Sequence, residues 1–229
     1  MEFRIFRKEA TESTNLDARA GVHGDVFTAR EQTAGRGRLD HRWLARPGEN
    51  LTFSAVLSVA DLPPDEVMTL PLVAGLAVRR VTGGAVKWPN DVLVDGRKIA
   101  GILCERSGDN VICGIGVNVN QTVFPAEIAA RATSLKLVRG DAQDRNAVFD
   151  ALLAELGALY ETWRAGGFAA VYAELAAHDA LKGAVVSVRQ TDGDPAPVKG
   201  LCGGIRADGA LLVAGRPVFA GEAVRTVPV

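Results

Sequence analysis

The 229-residue sequence carries 26 Lys and Arg against 27 Asp and Glu, for a net charge of -1. That balance excludes a global positive field able to recruit nucleic acid or anionic membrane, so any hold on anions must be local. Hydrophobic residues at 48 % and charged residues at 23 % support a packed core, and the length suits one ordinary domain plus a small appendage.

From the N-terminus, Glu2 to Arg7 alternates in the manner of a short strand. The same segment lacks the apolar core of a signal peptide, and no apolar run in the chain approaches the roughly 20 residues of a membrane span. A soluble, cytoplasmic protein is therefore expected. Residues 11–15 cluster capping side chains ahead of a helix over Leu16 to Ala20, and Asp25 to Ala29 is a second strand. Gln32 to Asn50 has no periodicity but is rich in glycine and arginine, and a loop of that length is either functional or a solvated, disordered stretch.

Leu51 to Val59 follows as a strand with Leu51, Phe53, Ala55 and Leu57 on one face. Pro63-Pro64-Asp65-Glu66 then opens a helix expected to run to Val81, kinked at Pro71 and stopped by Gly83-Gly84. Residues 85–120 read as β structure, with a hairpin at Asp95-Gly96. Helices are expected over Ala126 to Ala130, Arg145 to Arg164 and Ala169 to Ala177. After Leu181, short β segments at 185–189, 198–205, 210–213 and 223–227 form a small barrel-like module, with the boundary placed near Lys182-Gly183.

Three segments carry chemistry. In Gly35-Arg36-Gly37-Arg38 the glycines let backbone N–H groups approach a ligand while the arginines supply fixed donors, a combination able to surround a carboxylate or phosphate. Trp43 adds a flat face nearby, and Arg42 and Arg46 add charge. The phosphate-binding loop ending in Gly-Lys-Ser/Thr is absent, which argues against an ordinary P-loop nucleotidase. Lys87-Trp88-Pro89-Asn90-Asp91 places a cation, an aromatic face, a bend, an amide and a carboxylate at a strand end. Asp91 either holds magnesium through water or pairs with Lys87. Lys98 sits at a pocket rim or on an exposed hairpin, and Gly101 marks close approach by a ligand or another backbone. Asn118 and Asn120 share a strand face, either reading adenine or ribose or serving turns. Cys104, Cys113 and Cys202 give no CxxC pair and read as buried thiols.

Taken together, Glu12 to Asn15, Gln32 to Arg38, Trp43, Lys87 to Asp91, Arg97 to Leu103 and Gly114 to Asn120 resemble the biotin protein ligase family in order and spacing. The resemblance covers nearly the whole chain. It implies an α+β fold, a mixed β-sheet flanked by helices of the class II synthetase-like kind, in residues 1–182, then an SH3-like β-barrel in residues 183–229. It implies activation of biotin by ATP with Mg2+ to biotinyl-5′-AMP, then transfer to a lysine of a biotin carboxyl carrier protein domain of a biotin-dependent carboxylase.

By the same resemblance, Ser13, Thr14, Asn15, Gln32, Gly35, Arg36, Gly37, Arg38, Lys98 and Gly101 form the biotin site. Arg36, Arg38, Trp43, Lys87, Asn90, Lys98 and Asn118 serve the adenylate. Arg38, Lys98 and Asp91 are the catalytic set, with Asp91 on the metal side and a candidate to orient the incoming amine. The loop is expected to order over ligand and shield the activated ester. A homodimer follows by analogy alone.

Two departures stand out. Asp40 and His41 occupy loop positions where the family commonly has glycine and arginine, which makes the loop less positive. Some relatives carry an N-terminal DNA-binding domain, whereas here Glu2 already begins the catalytic pattern, so no repressor function, no specific DNA binding and no membrane partner are expected. The alternatives are a lipoate ligase or octanoyl transferase, which calls for a nucleophilic thiol or lysine in the pocket, and a non-enzymatic module that uses the arginine loop to hold RNA or phosphorylated partners.

Overall fold

The computed structural model describes residues 1–39, 41–190 and 196–226. Asp40, one of the two departures in the loop, lies outside the described residues.

Seven strands form a mixed sheet: β1 (Arg4–Thr11), β2 (Asp25–Gln32), β3 (Leu51–Ser58), β4 (Ala85–Lys87), β5 (Asp91–Val94), β6 (Arg97–Ser107) and β7 (Asn110–Val117). Their order is β1-β2-β3-β7-β6-β5-β4. The pair β1–β2 is parallel and the other neighbours are antiparallel. The β5–β6 hairpin turns at Asp95 and Gly96, both with positive φ (49° and 74°), which is the turn that Asp-Gly favours.

Strand alternation sets the two faces at the sheet centre. In β3, Phe53, Ala55 and Leu57 join a core with the helices α3 (Leu70–Thr82) and α6 (Arg145–Gly166). The opposite face of β3 is buried too, although it holds Thr52, Ser54 and Val56. There α1 (Thr14–Asp17) and the following 3-10 turn (Ala18–Ala20) lie on the sheet, with Ala18 packed against Val56 and Ile112. Both faces of this strand are thus buried, an apolar face against the helices and a more polar one beneath α1.

The expected single kinked helix is two helices. α2 (Pro64–Val67) ends before Thr69, and α3 starts afresh with Pro71 in its first turn. A first-turn proline breaks no intrahelical hydrogen bond, so Pro71 marks a start and not a kink. Gly83 closes α3 in the left-handed region at φ 77°. α4 (Ala126–Ala129) and α5 (Leu135–Arg139) precede α6, and α7 (Ala169–Ala177) follows it. The sequence reading missed α5, whose five residues are too few to show periodicity.

The C-terminal strands β8 (Val185–Arg189), β9 (Val198–Ile205), β10 (Leu211–Val213), β11 (Arg216–Val218) and β12 (Glu222–Arg225) form a second, antiparallel sheet in the order β11-β10-β9-β8-β12. Among the described residues β11 and β12 are its two edges and no pairing closes it into a barrel. Trp88 ties this sheet to the larger one. Its ring is buried at 2 % exposure and its Nε1–H donates to the Gly209 carbonyl at 3.1 Å. The aromatic face expected at the end of β4 is thus a structural anchor.

Candidate active site

A cleft of about 520 Å³ opens where the cleft face of β6 and β7 meets α1, the arginine–glycine loop and the edge of the C-terminal sheet. Among the sequence-chosen residues, Ser13, Thr14, Asn15, Gln32, Arg36, Gly37, Arg38, Trp43, Lys87, Asn90, Asp91, Lys98, Gly101 and Asn118 line it. Gly35 does not line it. Instead Gly35 is where the loop folds back, because a Cβ there would lie 2.6 Å from the Trp43 carbonyl oxygen.

Three glycines make the floor. Gly101 pairs with Gly116 across β6 and β7, and Gly114 sits two residues away on the same face. Side chains occupy the space they leave. A Cβ at Gly116 would stand 2.6 Å from Trp43 Cζ2, one at Gly114 would stand 2.9 Å from Asn15 Cγ, and one at Gly101 would stand 3.1 Å from Lys98 Nζ. The close approach expected at Gly101 is therefore made by Trp43 and Lys98, not by a second backbone. Trp43 lies in the cleft with its Nε1–H buried and without a hydrogen-bond partner among the described residues.

The loop above the floor is a small hairpin. Trp43 N–H donates to the Gly35 carbonyl at 3.0 Å, Gly37 N–H to the His41 carbonyl at 2.7 Å, and Arg36 bridges Arg42. Its far end is fixed where Asn50 Nδ2 donates to Gln121 Oε1 at 2.6 Å and Val119 N–H donates to Asn50 Oδ1 at 3.0 Å. Arg38 reaches across to the C-terminal sheet and donates to the Gly221 carbonyl at 3.2 Å. Burial pulls its pKa below the ordinary guanidinium value, against Asp91 and Glu222, which favour the charge. A guanidinium stays protonated in such a setting.

At the other end, Asp91 takes Lys98 Nζ on one oxygen at 2.6 Å and Lys87 Nζ on the other at 3.2 Å. Burial raises the Asp91 pKa, but Lys98 and Lys87 together outweigh it and leave the carboxyl below its usual value. Asp91 is thus an anion at neutral pH, set between two ammonium groups. Both of its oxygens are engaged, and among the described residues no group of three or more His, Cys, Asp or Glu could cage a metal ion. Asn90 fixes this turn to β6, its Nδ2 donating to the Ile102 carbonyl at 2.7 Å.

Asn118 lines the cleft with its Nδ2 committed to the Thr133 carbonyl at 2.9 Å. Asn120 points elsewhere. Its amide exchanges hydrogen bonds with the Gln143 backbone, which settles it as a structural asparagine. Cys104 and Cys113 oppose each other across β6 and β7, one residue out of phase with Leu103 and Gly114, so alternation puts both thiols on the face away from the cleft. The hydrogen bond to Cys113, and then burial, push the Cys104 thiol well above its usual pKa. Neither is placed to attack a cleft ligand.

The sequence reading missed several lining residues. Phe124, Ile128, Arg131 and Ala132 come from the segment around α4, and Lys98 pairs with Ala132 in a short parallel bridge. Glu222 comes from the C-terminal sheet. Ser54 and Glu105 stand behind the wall, and their period-two relation to Thr52 and to Gly101 and Leu103 was the available signal.

Comparison with known proteins places this arrangement. Residues 10–120 match the model of the biotin/lipoate A/B protein ligase family. A biotin–[acetyl-CoA-carboxylase] ligase of Paracoccus denitrificans is 33 % identical over 228 residues, covering 90 % of this chain and 92 % of that protein. The chain belongs to the biotin protein ligase family. Another member, from Mycobacterium tuberculosis, is 40 % identical over 169 residues, and there the match spans 67 % of this chain but only 63 % of the relative's length. The biotin protein ligase of Aquifex aeolicus, solved in complex with biotin and ATP, superposes with a TM-score of 0.86 at 28 % identity, covering 97 % of this chain and 99 % of that one. Family membership accounts for the mixed sheet, and the cleft holds the loop and lysine motifs on which the sequence resemblance rested.

Proposed function

We propose that the chain is an ATP-dependent biotin protein ligase, which makes biotinyl-5′-AMP and passes the biotinyl group to a lysine of a biotin carboxyl carrier protein domain. The observation that carries this reading is one continuous cleft bounded by Arg36, Arg38, Lys87 and Lys98, with a polar pocket from Ser13 to Gln32 at one end and Asp91 at the other. Bringing a carboxylate up to a triphosphate is repulsive, and converging cations in a partly dry cleft remove that barrier.

In the first step a biotin carboxylate oxygen attacks the α-phosphorus, the bond to the bridging oxygen of the β-phosphate breaks, and pyrophosphate leaves. In the second, a neutral lysine amine attacks the acyl carbon, AMP leaves with the C–O electron pair, and the amine loses a proton. Ser13, Thr14, Asn15, Gln32 and the backbone of Gly35 to Arg38 and Gly101 would hold biotin. Arg38 and Lys98 would face the reacting carboxylate and α-phosphate. Trp43, whose indole N–H lacks a partner among the described residues, and Asn118 would serve the adenylate, with Lys87 and Asn90 on the phosphate side. Asp91, held ionised between two lysines, would position those ammonium groups. Magnesium would enter as part of the MgATP substrate.

We place the catalytic part at residues 1–182 and read residues 183–229 as an SH3-like module that bears on the loop through Gly221. A cytoplasmic enzyme acting on acetyl-CoA carboxylase is the cellular setting this reading implies. The test is incubation with MgATP and either biotin or lipoate, followed by mass spectrometry for the adenylate, then transfer of labelled biotin to a carrier domain. Biotinyl-AMP and a labelled carrier are expected. An adenylate formed only with lipoate, or no pyrophosphate release with either acid, would overturn the proposal.

A further inference from the structure

Behind the cleft wall a line of polar side chains connects the biotin end of the cleft to a carboxylate outside it. Gln32 Oε1 accepts from Thr14 N–H at 2.8 Å and lies 3.1 Å from Thr14 Oγ1. Ser54 Oγ is fully buried and lies 2.7 Å from Thr14 Oγ1 and 2.6 Å from Asn15 Oδ1. Asn15 Nδ2 donates to Glu105 Oε2 at 2.6 Å and to the Leu103 carbonyl at 3.3 Å. The other oxygen of Glu105 faces Arg36 at 3.4 Å and Arg19 at 3.8 Å.

Donor arithmetic fixes the direction of the Asn15 amide and of the Ser54 hydroxyl in this line. A carboxylate and a carbonyl only accept, so the amide nitrogen of Asn15 must face Glu105 and Leu103, and its oxygen must face Ser54. An amide oxygen cannot donate, so the single Ser54 proton lies on Asn15. Thr14 then has one proton for two acceptors, Ser54 Oγ at 2.7 Å and Gln32 Oε1 at 3.1 Å, and one of these takes it. Thr14 Oγ1 is left with lone pairs only toward the cleft. A hydroxyl that rotates freely presents a donor or an acceptor equally well; this one is held as an acceptor.

We infer that Glu105 is a positioning residue that sets the polarity of the Thr14 end of the pocket through Asn15 and Ser54, with Arg36 and Arg19 holding its carboxylate in place. The inference rests on the proposed biotin ligase activity. Glu105 touches no substrate. It acts by making one orientation of the relay much better than any other, which lowers the cost of ordering Thr14 when a ligand with an N–H donor binds.

The test compares Glu105→Ala, Glu105→Gln and Ser54→Ala with the parent chain, using biotin-dependent pyrophosphate release to obtain KM for biotin and for ATP, and thermal melting to monitor the fold. Glu105→Ala and Ser54→Ala each break the relay and are expected to raise KM for biotin by about tenfold, while KM for ATP stays within about twofold. Glu105→Gln retains an oxygen for Asn15 and is expected to recover part of the loss. A biotin KM within twofold of the parent in all three variants overturns the inference, as does a parallel rise in both KM values, which would report general damage. If Glu105→Ala does not fold, Ser54→Ala and Glu105→Gln decide the matter by the same two constants. A parent chain that makes no adenylate overturns the functional proposal, and this inference with it.

Discussion

Replacing Gly116 by alanine adds one methyl group where the indole of Trp43 lies on β7. The backbone there is ordinary strand and tolerates a side chain, so the fold alone would gain up to about 1 kcal/mol from reduced freedom of the unfolded chain. The cleft responds in the opposite sense. The new Cβ would sit 2.6 Å from Trp43 Cζ2 and 2.8 Å from Cδ2. Both are roughly 1 Å inside van der Waals contact, and the clash falls on the rigid middle of an aromatic ring rather than on a flexible tip. The ring must retreat by about that distance, and a misplacement on the order of 1 Å in a positioning group costs as much as about 100-fold in rate. Gly116→Ala is therefore expected to leave the melting temperature at or slightly above the parent value while kcat/KM for ATP in biotin-dependent pyrophosphate release falls at least about tenfold. The melting curve and the rate must part company. An alanine variant with parental kinetics would refute the reasoning, because it would mean that Trp43 does not shape the nucleotide side of the cleft.

Arg38→Ala removes the guanidinium that joins the loop to the Gly221 carbonyl; it is expected to slow adenylate formation and speed loss of biotinyl-AMP, measured by filter retention of labelled intermediate, with unchanged rates for both counting against the assignment. Asp91→Asn leaves Lys87 and Lys98 facing each other without their shared anion and should lower the melting temperature at neutral pH. The folded-state pKa of Asp91 lies below the reference 3.8, so its stabilisation is present above that pH and is lost as pH falls through the folded value. The gap in melting temperature between parent and variant should accordingly shrink as melts are taken from pH 7 down below about pH 4, and a gap that widens would contradict the assignment. Trp88→Phe removes the donor to the Gly209 carbonyl and should cost about 1 kcal/mol in chemical denaturation, more if the carbonyl stays dry, with little change in KM for biotin.

Much of this molecule was legible before any coordinates. The strands and the long helices showed because a buried face imposes a period of 2 or 3.6 on the sequence, as at Leu51 to Val59 and Arg145 to Arg164. The loop, Lys87 to Asp91 and Lys98 were recognisable because their chemistry sits in contiguous residues, and the cleft brings them together. Local signals failed where the deciding neighbour was distant. Pro71 looked like a kink because nothing local says that the helix restarts one residue earlier. Trp88 read only as an aromatic face at a strand end because the Gly209 carbonyl that claims its N–H is 121 residues away.

The sequence alone therefore determined the family, the order of the main strands and long helices and the residue types at the cleft, since those depend on periodicity and short motifs. Only the tertiary structure decided how they are used. Sheet register turned Gly101, Gly114 and Gly116 from weak glycine signals into a floor under Trp43, Asn15 and Lys98. Register likewise sent Cys104 and Cys113 to the far face and brought Glu105 behind Asn15. The side on which a strand residue points is a parity that one-residue pairing fixes across the whole sheet, and no single segment contains that information.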